Sequence, residues 1–130
     1  MANDKAIICV DDEQIILMSL LMQVKKNFGD RFQCESAQSA DDAMEVINDL
    51  VEDGIKIVLI ISDWLMPGER GDDFLIKVHK MFPNIKLILL TGQADQEAIE
   101  RLEKEVDLFL CIHKPWNEKI LVDAVNSALS

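Results

Sequence analysis

No C-x-x-C pair occurs in this chain. Its three cysteines, Cys9, Cys34 and Cys111, are odd in number and widely separated, and its two histidines, His79 and His113, stand apart from each other. Zinc ligands usually come in closely spaced pairs, so no zinc site is expected. All three cysteines fall in apolar runs, which reads as buried, reduced thiols and suits a cytosol. Clusters of lysine and arginine are missing as well. Thirteen basic residues stand against 24 acidic ones, for a net charge of -11, and without a basic patch no direct contact with nucleic-acid phosphates is expected. The start, M-A-N-D-K, carries no apolar core of signal-peptide length. The longest apolar stretches fall far short of the ~20 residues that a membrane-spanning helix needs. The expectation is a cytoplasmic protein with neither membrane nor nucleic acid as a direct partner. Repeats, low-complexity tracts and linkers are also missing, so residues 1–130 read as a single domain.

What is present is a globular composition, 49% hydrophobic and 28% charged, arranged as two alternating kinds of segment. Lys5–Val10, Phe32–Ser36, Ile57–Ile61, Ile85–Leu90 and Leu108–Ile112 are short and rich in Ile, Leu and Val. Between them lie longer segments with helical spacing: Gln14–Phe28, Ala40–Asp53, Asp72–Phe82, Ala94–Glu105 and Asn117–Leu129. Gly29, Gly54 and Pro83 stand where helices should stop, and Ser39 can cap the second helix, with Asp42 three residues on. In the first helix Ile15, Met18, Leu21, Met22 and Lys25 share one side, yet the segment holds more apolar residues than one buried stripe needs. Some of the surplus should be exposed and mark an interface.

The order is strand then helix, five times over. Four strands are near-continuous apolar runs, which means burial on both faces, as in a parallel sheet covered by helices. The second, F-Q-C-E-S, is polar enough for an edge. The right-handed crossover rule then predicts an α/β fold, a doubly wound three-layer sandwich. Reactive groups in such sheets lie at the carboxyl ends of the strands, near the topological switch point.

The strand ends carry chemistry. The first runs into Asp11-Asp12-Glu13, the third into Ser62-Asp63, the fourth into Thr91-Gly92 and the fifth into Lys114-Pro115. Crowded carboxylates either rise in pKa or bind a cation, and the natural cation for oxygen ligands beside a phosphate is Mg²⁺. A carboxylate not consumed by the metal can act as a nucleophile and form an aspartyl-phosphate. A lysine ammonium and a threonine hydroxyl suit the charge of a phosphoryl group in transfer. Asp63, on the central strand, is the expected acceptor, and Asp11 and Asp12 are expected metal ligands. Glu13 reads as a first-turn charge with a water-mediated role at the metal, and Pro67, Gly68 and Gly71 as shapers of the loop. Trp64 reads as a loop side chain beside the site, and Trp116 as packing for the last helix.

Taken together, D-D-E, then D-W-L-M-P-x-x-x-G, then T-G, then K-P-W, in that order from Lys5 to Leu129, resemble the receiver domain of two-component response regulators in its single-domain, chemotaxis-regulator-like form. The resemblance implies a five-stranded sheet in the order 2-1-3-4-5. It implies Mg²⁺-dependent transfer of a phosphoryl group from a phosphohistidine to Asp63. The donor would be a sensor histidine kinase or a histidine phosphotransfer protein. It implies a third protein ligand to Mg²⁺ in the backbone carbonyl of Leu65, and a cis Lys114–Pro115 bond. It implies that Thr91 and Lys114 report the phosphate to the face of the fourth helix, fifth strand and fifth helix, and so to a downstream protein target or output domain. Leu65 and Gln93 fall where the family tunes phosphate lifetime. The first helix falls where the family meets its donor, with a dimer contact as the competing use. The position of the family's aromatic switch residue is Cys111 here, so a coupled movement of Thr91 with an aromatic ring cannot operate.

Other functions fit the residues less well. A phosphatase resembling the haloacid dehalogenases would carry D-x-D after the first strand and need a cap domain. A flavodoxin-like nucleotide site would want a Gly- or Ser-rich loop where three acids stand. A receiver that only binds partners usually lacks an acid or the lysine, and none is lacking. A switch that modifies itself, rather than an enzyme turning over an external substrate, is the expectation.

Overall fold

Apolar β-branched runs form strands, and the segments between them wind into helices, in the order the spacing predicts. The computed structural model describes residues 4–92, 96–106 and 109–130, Phe109 by its backbone alone. The elements are β1 (Lys5–Val10), α1 (Gln14–Phe28), β2 (Gln33–Ala37), α2 (Ala40–Glu52), β3 (Lys56–Asp63), α3 (Gly71–Met81), β4 (Lys86–Thr91), α4 (Gln96–Glu105), β5 (Phe109–His113) and α5 (Glu118–Leu129). The strands pair in parallel in the order β2-β1-β3-β4-β5. Boundaries move from the sequence expectation by one or two residues, as helix and strand ends commonly do. The most consequential shift is in β3, which runs on through Ser62 and ends on Asp63 itself. The expected helix start at Ala94 and strand start at Leu108 lie outside the described residues.

Strand alternation divides the interior into two cores. Ala6, Ile8 and Val10 of β1 and Leu87 and Leu89 of β4 pack with α2, α3 and α4. Ile7 and Cys9 of β1 and Ile88 and Leu90 of β4 pack with α1 and α5. Between β1 and β3 the register skips Val58, pairing Ala6 with Ile57 and Ile7 with Leu59, a bulge that puts Val58 and Leu59 against the same core. The polar β2 is an edge strand, as its composition predicts, with Ala37 its one buried residue. The chain leaves β1 for one face and returns to β3 from the other, so the switch point lies between these two strands, at Asp11 and Asp63.

Helix ends follow the local chemistry. The Ser39 hydroxyl accepts a hydrogen bond from the Asp42 N–H at 3.1 Å, and the Asn117 side chain accepts one from Ile120 N–H at 2.9 Å. Gly54, with φ +75°, turns the chain out of α2 in the left-handed region that glycine enters without strain.

The surplus apolar surface expected on α1 is exposed, and the reading of the cysteines is corrected. The side of α1 bearing Ile15, Met18 and Met22 faces solvent, at 85%, 56% and 67% exposure, while Leu17, Leu20, Val24 and Phe28 face the core. The helix is so apolar that either stripe satisfies the periodicity, and only the sheet decides which is covered. Of the cysteines, Cys9 alone is buried; Cys34 and Cys111 are half-buried, and all three are free thiols. Burial raises the pKa of each.

Leu20→Ala should therefore lower stability by roughly 2–5 kcal/mol, and Met18→Ala by less than about 0.5 kcal/mol, in urea denaturation. Equal losses would show that α1 buries a different face.

Candidate functional site

Each site residue is held by the backbone of the strand that delivers it. Asp11 follows β1 directly, and its N–H extends the pairing with β2 by donating to Ala37 O at 3.2 Å. Its side chain is wholly buried, and Oδ1 accepts the N–H of Glu13 at 2.9 Å. Glu13 is thus the N-cap residue of α1 rather than part of its first turn. Asp12, the next residue, is exposed. Asp63 closes β3 at 4% exposure, and Thr91 closes β4 at 1%. Lys114 N–H donates to Thr91 O at 2.8 Å, and the Lys114–Pro115 peptide is cis.

Lys114 Nζ lies 2.9 Å from Asp11 Oδ2 and 2.9 Å from Asp63 Oδ1. One ammonium thus joins carboxylates from β1 and β3. Asp11, Asp12 and Asp63 offer oxygens within 4.8 Å of one another. Three hard oxygen donors at that spacing fit a hard divalent cation such as Mg²⁺. Asp12 and Asp63 open into a cleft of about 630 Å³ whose walls include Glu13, Trp64, Leu65 and Gly92. Leu65 stands in that wall at 63% exposure.

Charge balance shows in the titration of the groups. Burial, with Asp11 and Asp12 adding to it and Lys114 opposing it, pushes the Asp63 carboxyl up to about 6. Burial alone would lower the Lys114 ammonium, but its hydrogen bonds to Asp11 and Asp63 and their charges outweigh it, and the net displacement is upward. One lysine does not neutralise three acids, and the surplus negative charge is what a cation would relieve.

The loop after Asp63 is closed by its own backbone. Trp64 N–H donates to Leu90 O at 2.8 Å, and Gly71 N–H donates to Trp64 O at 2.6 Å. A Cβ on Gly71 would lie 2.0 Å from the Asp63 carbonyl oxygen. Only glycine lets α3 begin this close to the end of β3, which gives the expected loop-shaping role a specific cause.

The structure brings Asp11, Asp12, Asp63, Thr91 and Lys114 to one edge of the sheet. Cys111 sits in mid-β5 opposite Leu89, two residues before His113, whose partner is Thr91. Gln93 lies outside the described residues. Trp116 does more than pack: its indole N–H donates to Gln23 Oε1 at 2.8 Å, joining α5's approach to α1. Sequence reasoning missed Arg70, Asp72 and Arg101. Asp72 is wholly buried, held by Arg70 from two residues before and by Arg101 from α4. The R-G-D-D string hinted at the local pair, but no spacing rule points to Arg101.

Two outcomes follow. Gly71→Ala should cost roughly 1–3 kcal/mol by forcing the loop apart, measured by urea denaturation; an unchanged midpoint would mean the chain relaxes freely there. The second concerns pH. Folding raises Asp63 from the ordinary 3.8 to about 6. Its neutral form therefore supports folding fully at low pH, and that support is lost as the pH rises through about 6. Without divalent metal, Asp63→Asn should be more stable than the parent at pH 7 by on the order of 1 kcal/mol, with the gain vanishing near pH 4 in thermal melts. A less stable variant at pH 7 would show that the pairing with Lys114 outweighs the crowding.

The sequence profile of the response regulator receiver domain matches residues 7–126. The hydrogenase transcriptional regulatory protein HoxA of Cupriavidus necator is 28% identical over 129 residues, which cover 99% of this chain and 25% of that protein. The phosphate regulon transcriptional regulatory protein PhoB of Escherichia coli K12 is 28% identical over 128 residues, covering 96% of this chain and 52% of that protein. The chain thus spans between a quarter and about half the length of these relatives. Among solved structures, the CheY-like response regulator receiver domain protein of Methanospirillum hungatei JF-1 superimposes with a TM-score of 0.81 at 26% identity, covering 98% of this chain and 94% of that one. The signal receiver domain of an HD domain-containing protein from Pseudomonas fluorescens Pf-5 gives 0.84 at 25% identity, over 98% and 95%. With the profile running from the first strand into the last helix and the fold shared with solved receivers, the chain belongs to the response regulator receiver domain family of two-component signalling.

Proposed function

We propose that residues 1–130 act as one phospho-accepting switch in which Asp63 takes a phosphoryl group from a phosphohistidine, on a sensor histidine kinase or a histidine phosphotransfer protein. The observation that carries the reading is the bridge of Lys114 Nζ to both Asp11 and Asp63 at 2.9 Å. It sets a cation beside an acceptor carboxylate that is ionised at neutral pH. In the transfer, the P–N bond of the phosphohistidine breaks and its electron pair returns to the imidazole. A P–O bond forms at an Asp63 carboxylate oxygen. Lys114 and the Thr91 hydroxyl hold charge on the phosphoryl oxygens.

Asp11, Asp12, Asp63 and the backbone carbonyl of Leu65 would hold Mg²⁺, which when bound supplies the positive charge that three acids and a phosphoryl group together require. Thr91 and Lys114 would report the modification to the α4–β5–α5 face. Cys111 gives that face a thiol in place of an aromatic ring, so the report uses other contacts. Leu65, apolar and exposed in the cleft wall, would hinder water and lengthen the life of the phosphate, with Gln93 as the second tuning position. The switch modifies itself rather than turning over an external substrate.

The exposed Ile15, Met18 and Met22 continue from the cleft, since Ile15 and Lys114 border the same groove. This face suits docking of the donor's helices, with self-association as the competing use. HoxA and PhoB are transcriptional regulatory proteins by name, and a sensor kinase, CckA of Brucella abortus, is 24% identical over 129 residues. A downstream protein target or output domain is the proposed recipient here, with no direct nucleic-acid contact by this domain. No helix among the described residues is long and apolar enough to cross a membrane, and a cytoplasmic location is proposed.

Incubation with Mg²⁺ and acetyl phosphate, followed by intact-mass spectrometry, should add one phosphoryl mass. The gain should vanish in Asp63→Asn and without Mg²⁺, and Asp12→Ala should weaken Mg²⁺ binding at least tenfold. Full labelling of Asp63→Asn would overturn the assignment.

A further inference from the structure

Asp72 is the second residue of α3 and has no exposed surface. A buried carboxylate that stays charged needs close partners. Arg70 supplies two hydrogen bonds, from Nε at 3.1 Å and Nη2 at 2.7 Å, and Arg101 of α4 adds a contact at 3.4 Å while also pairing with Asp73. Arg70 is the N-cap residue of α3, in an extended conformation and with no side-chain cap bond; a guanidinium has only donors and cannot cap N–H groups, so it is available to Asp72.

That guanidinium also lies 5.8 Å from the centre of the Trp64 ring, within cation–π range. Trp64 adjoins Asp63 and lines the cleft. Its indole N–H is buried with no hydrogen-bond partner among the described residues. The ring is therefore placed by packing and by Arg70, not by its own polar atom. A bidentate guanidinium has one plane in which both bonds survive. A shift of Arg101 against Asp72 must tilt that plane, and the tilt is felt by Trp64.

We propose that Arg70 and Asp72 are positioning residues for the acceptor site and that, with Arg101, they tie the loop 64–71 to α4. The loop carries Leu65, and its two ends are already pinned by Trp64 N–H on Leu90 and Gly71 N–H on Trp64. What remains adjustable is the wall between them, and Arg70 sets it. Coupling of this kind runs both ways: whatever changes the site changes the seat of α4, and the reverse. The relay gives a route out of the cleft that needs no aromatic ring at Cys111. Its Mg²⁺ consequence rests on the function proposed above; its mechanical claim does not.

The test uses the full chain labelled with ¹⁵N, in which the two indole N–H signals, of Trp64 and Trp116, are distinguished by Trp116→Phe. Arg101→Gln and Arg70→Gln change side chains that are 45% exposed, so both variants should fold. In each, without metal, the Trp64 indole signal should shift while that of Trp116 stays in place. Mg²⁺ affinity should fall at least threefold in each single variant, and the double variant should fall no further than Arg70→Gln alone. Arg101→Lys, which keeps the charge and loses the planar fork, should restore less than half of the effect. A simple staple between α3 and α4 would lower the melting temperature of Arg101→Gln without moving the Trp64 signal, and that result overturns the relay. Single effects that add in the double variant overturn it too. If the parent chain fails to bind Mg²⁺, the metal reading falls, and the relay is still decided by the metal-free Trp64 signal.

Discussion

A single ammonium between two buried carboxylates sets the terms for this molecule. Lys114 Nζ meets Asp11 and Asp63 at 2.9 Å each, and these acids come from the two strands that flank the switch point of the sheet. Removing either acid would leave the lysine partly unpaired in a half-buried place; removing the lysine would leave two buried carboxylates beside a third. The balance is incomplete by design of charge: an Asp63 carboxyl pushed up to about 6 still ionises at neutral pH, and the surplus charge favours a cation. Stability and the proposed chemistry draw on the same imbalance.

The rest of the fold serves to hold that cluster. Parallel strands buried on both faces put successive carboxyl ends at one edge without any connection crossing it. The close approach of Gly71 to the Asp63 carbonyl then starts α3 directly over the end of β3. Because β3 extends as far as Asp63, the proposed acceptor's backbone belongs to the strand ladder and its side chain to the cleft. A site built on strand ends and closed by backbone hydrogen bonds loses little order when a ligand arrives.

Outside the cleft lie the two surfaces on which the proposed docking and coupling rest. The apolar stripe of α1 lies on one side, reached through Ile15 and the groove it shares with Lys114. The Arg70–Asp72–Arg101 cluster lies on the other, between α3 and α4. The two sit on opposite faces of the sheet, so a partner docked on α1 need not obstruct α4. The half-buried thiol of Cys111 on β5 lies on neither path.

The sequence by itself determined the element order, the parallel sheet and the set Asp11, Asp12, Asp63, Thr91 and Lys114. Strand-end positions follow from where apolar runs stop, and runs of Ile, Leu and Val stop abruptly at these residues. Gly54 and Ser39 were legible for a similar reason, since a left-handed turn and a helix cap are local events. Tertiary structure decided the rest. The buried side of α1 was ambiguous because both stripes are apolar, and contact with the sheet selects Leu17, Leu20, Val24 and Phe28. The skip at Val58 depends on how two strands pair, which neither strand encodes alone. The seat of Asp72 is shared between the neighbouring Arg70 and Arg101, a residue from another helix that no periodicity connects to it. Local rules reach as far as the next turn of chain, whereas a buried charge is settled by whichever group the fold brings within about 3 Å.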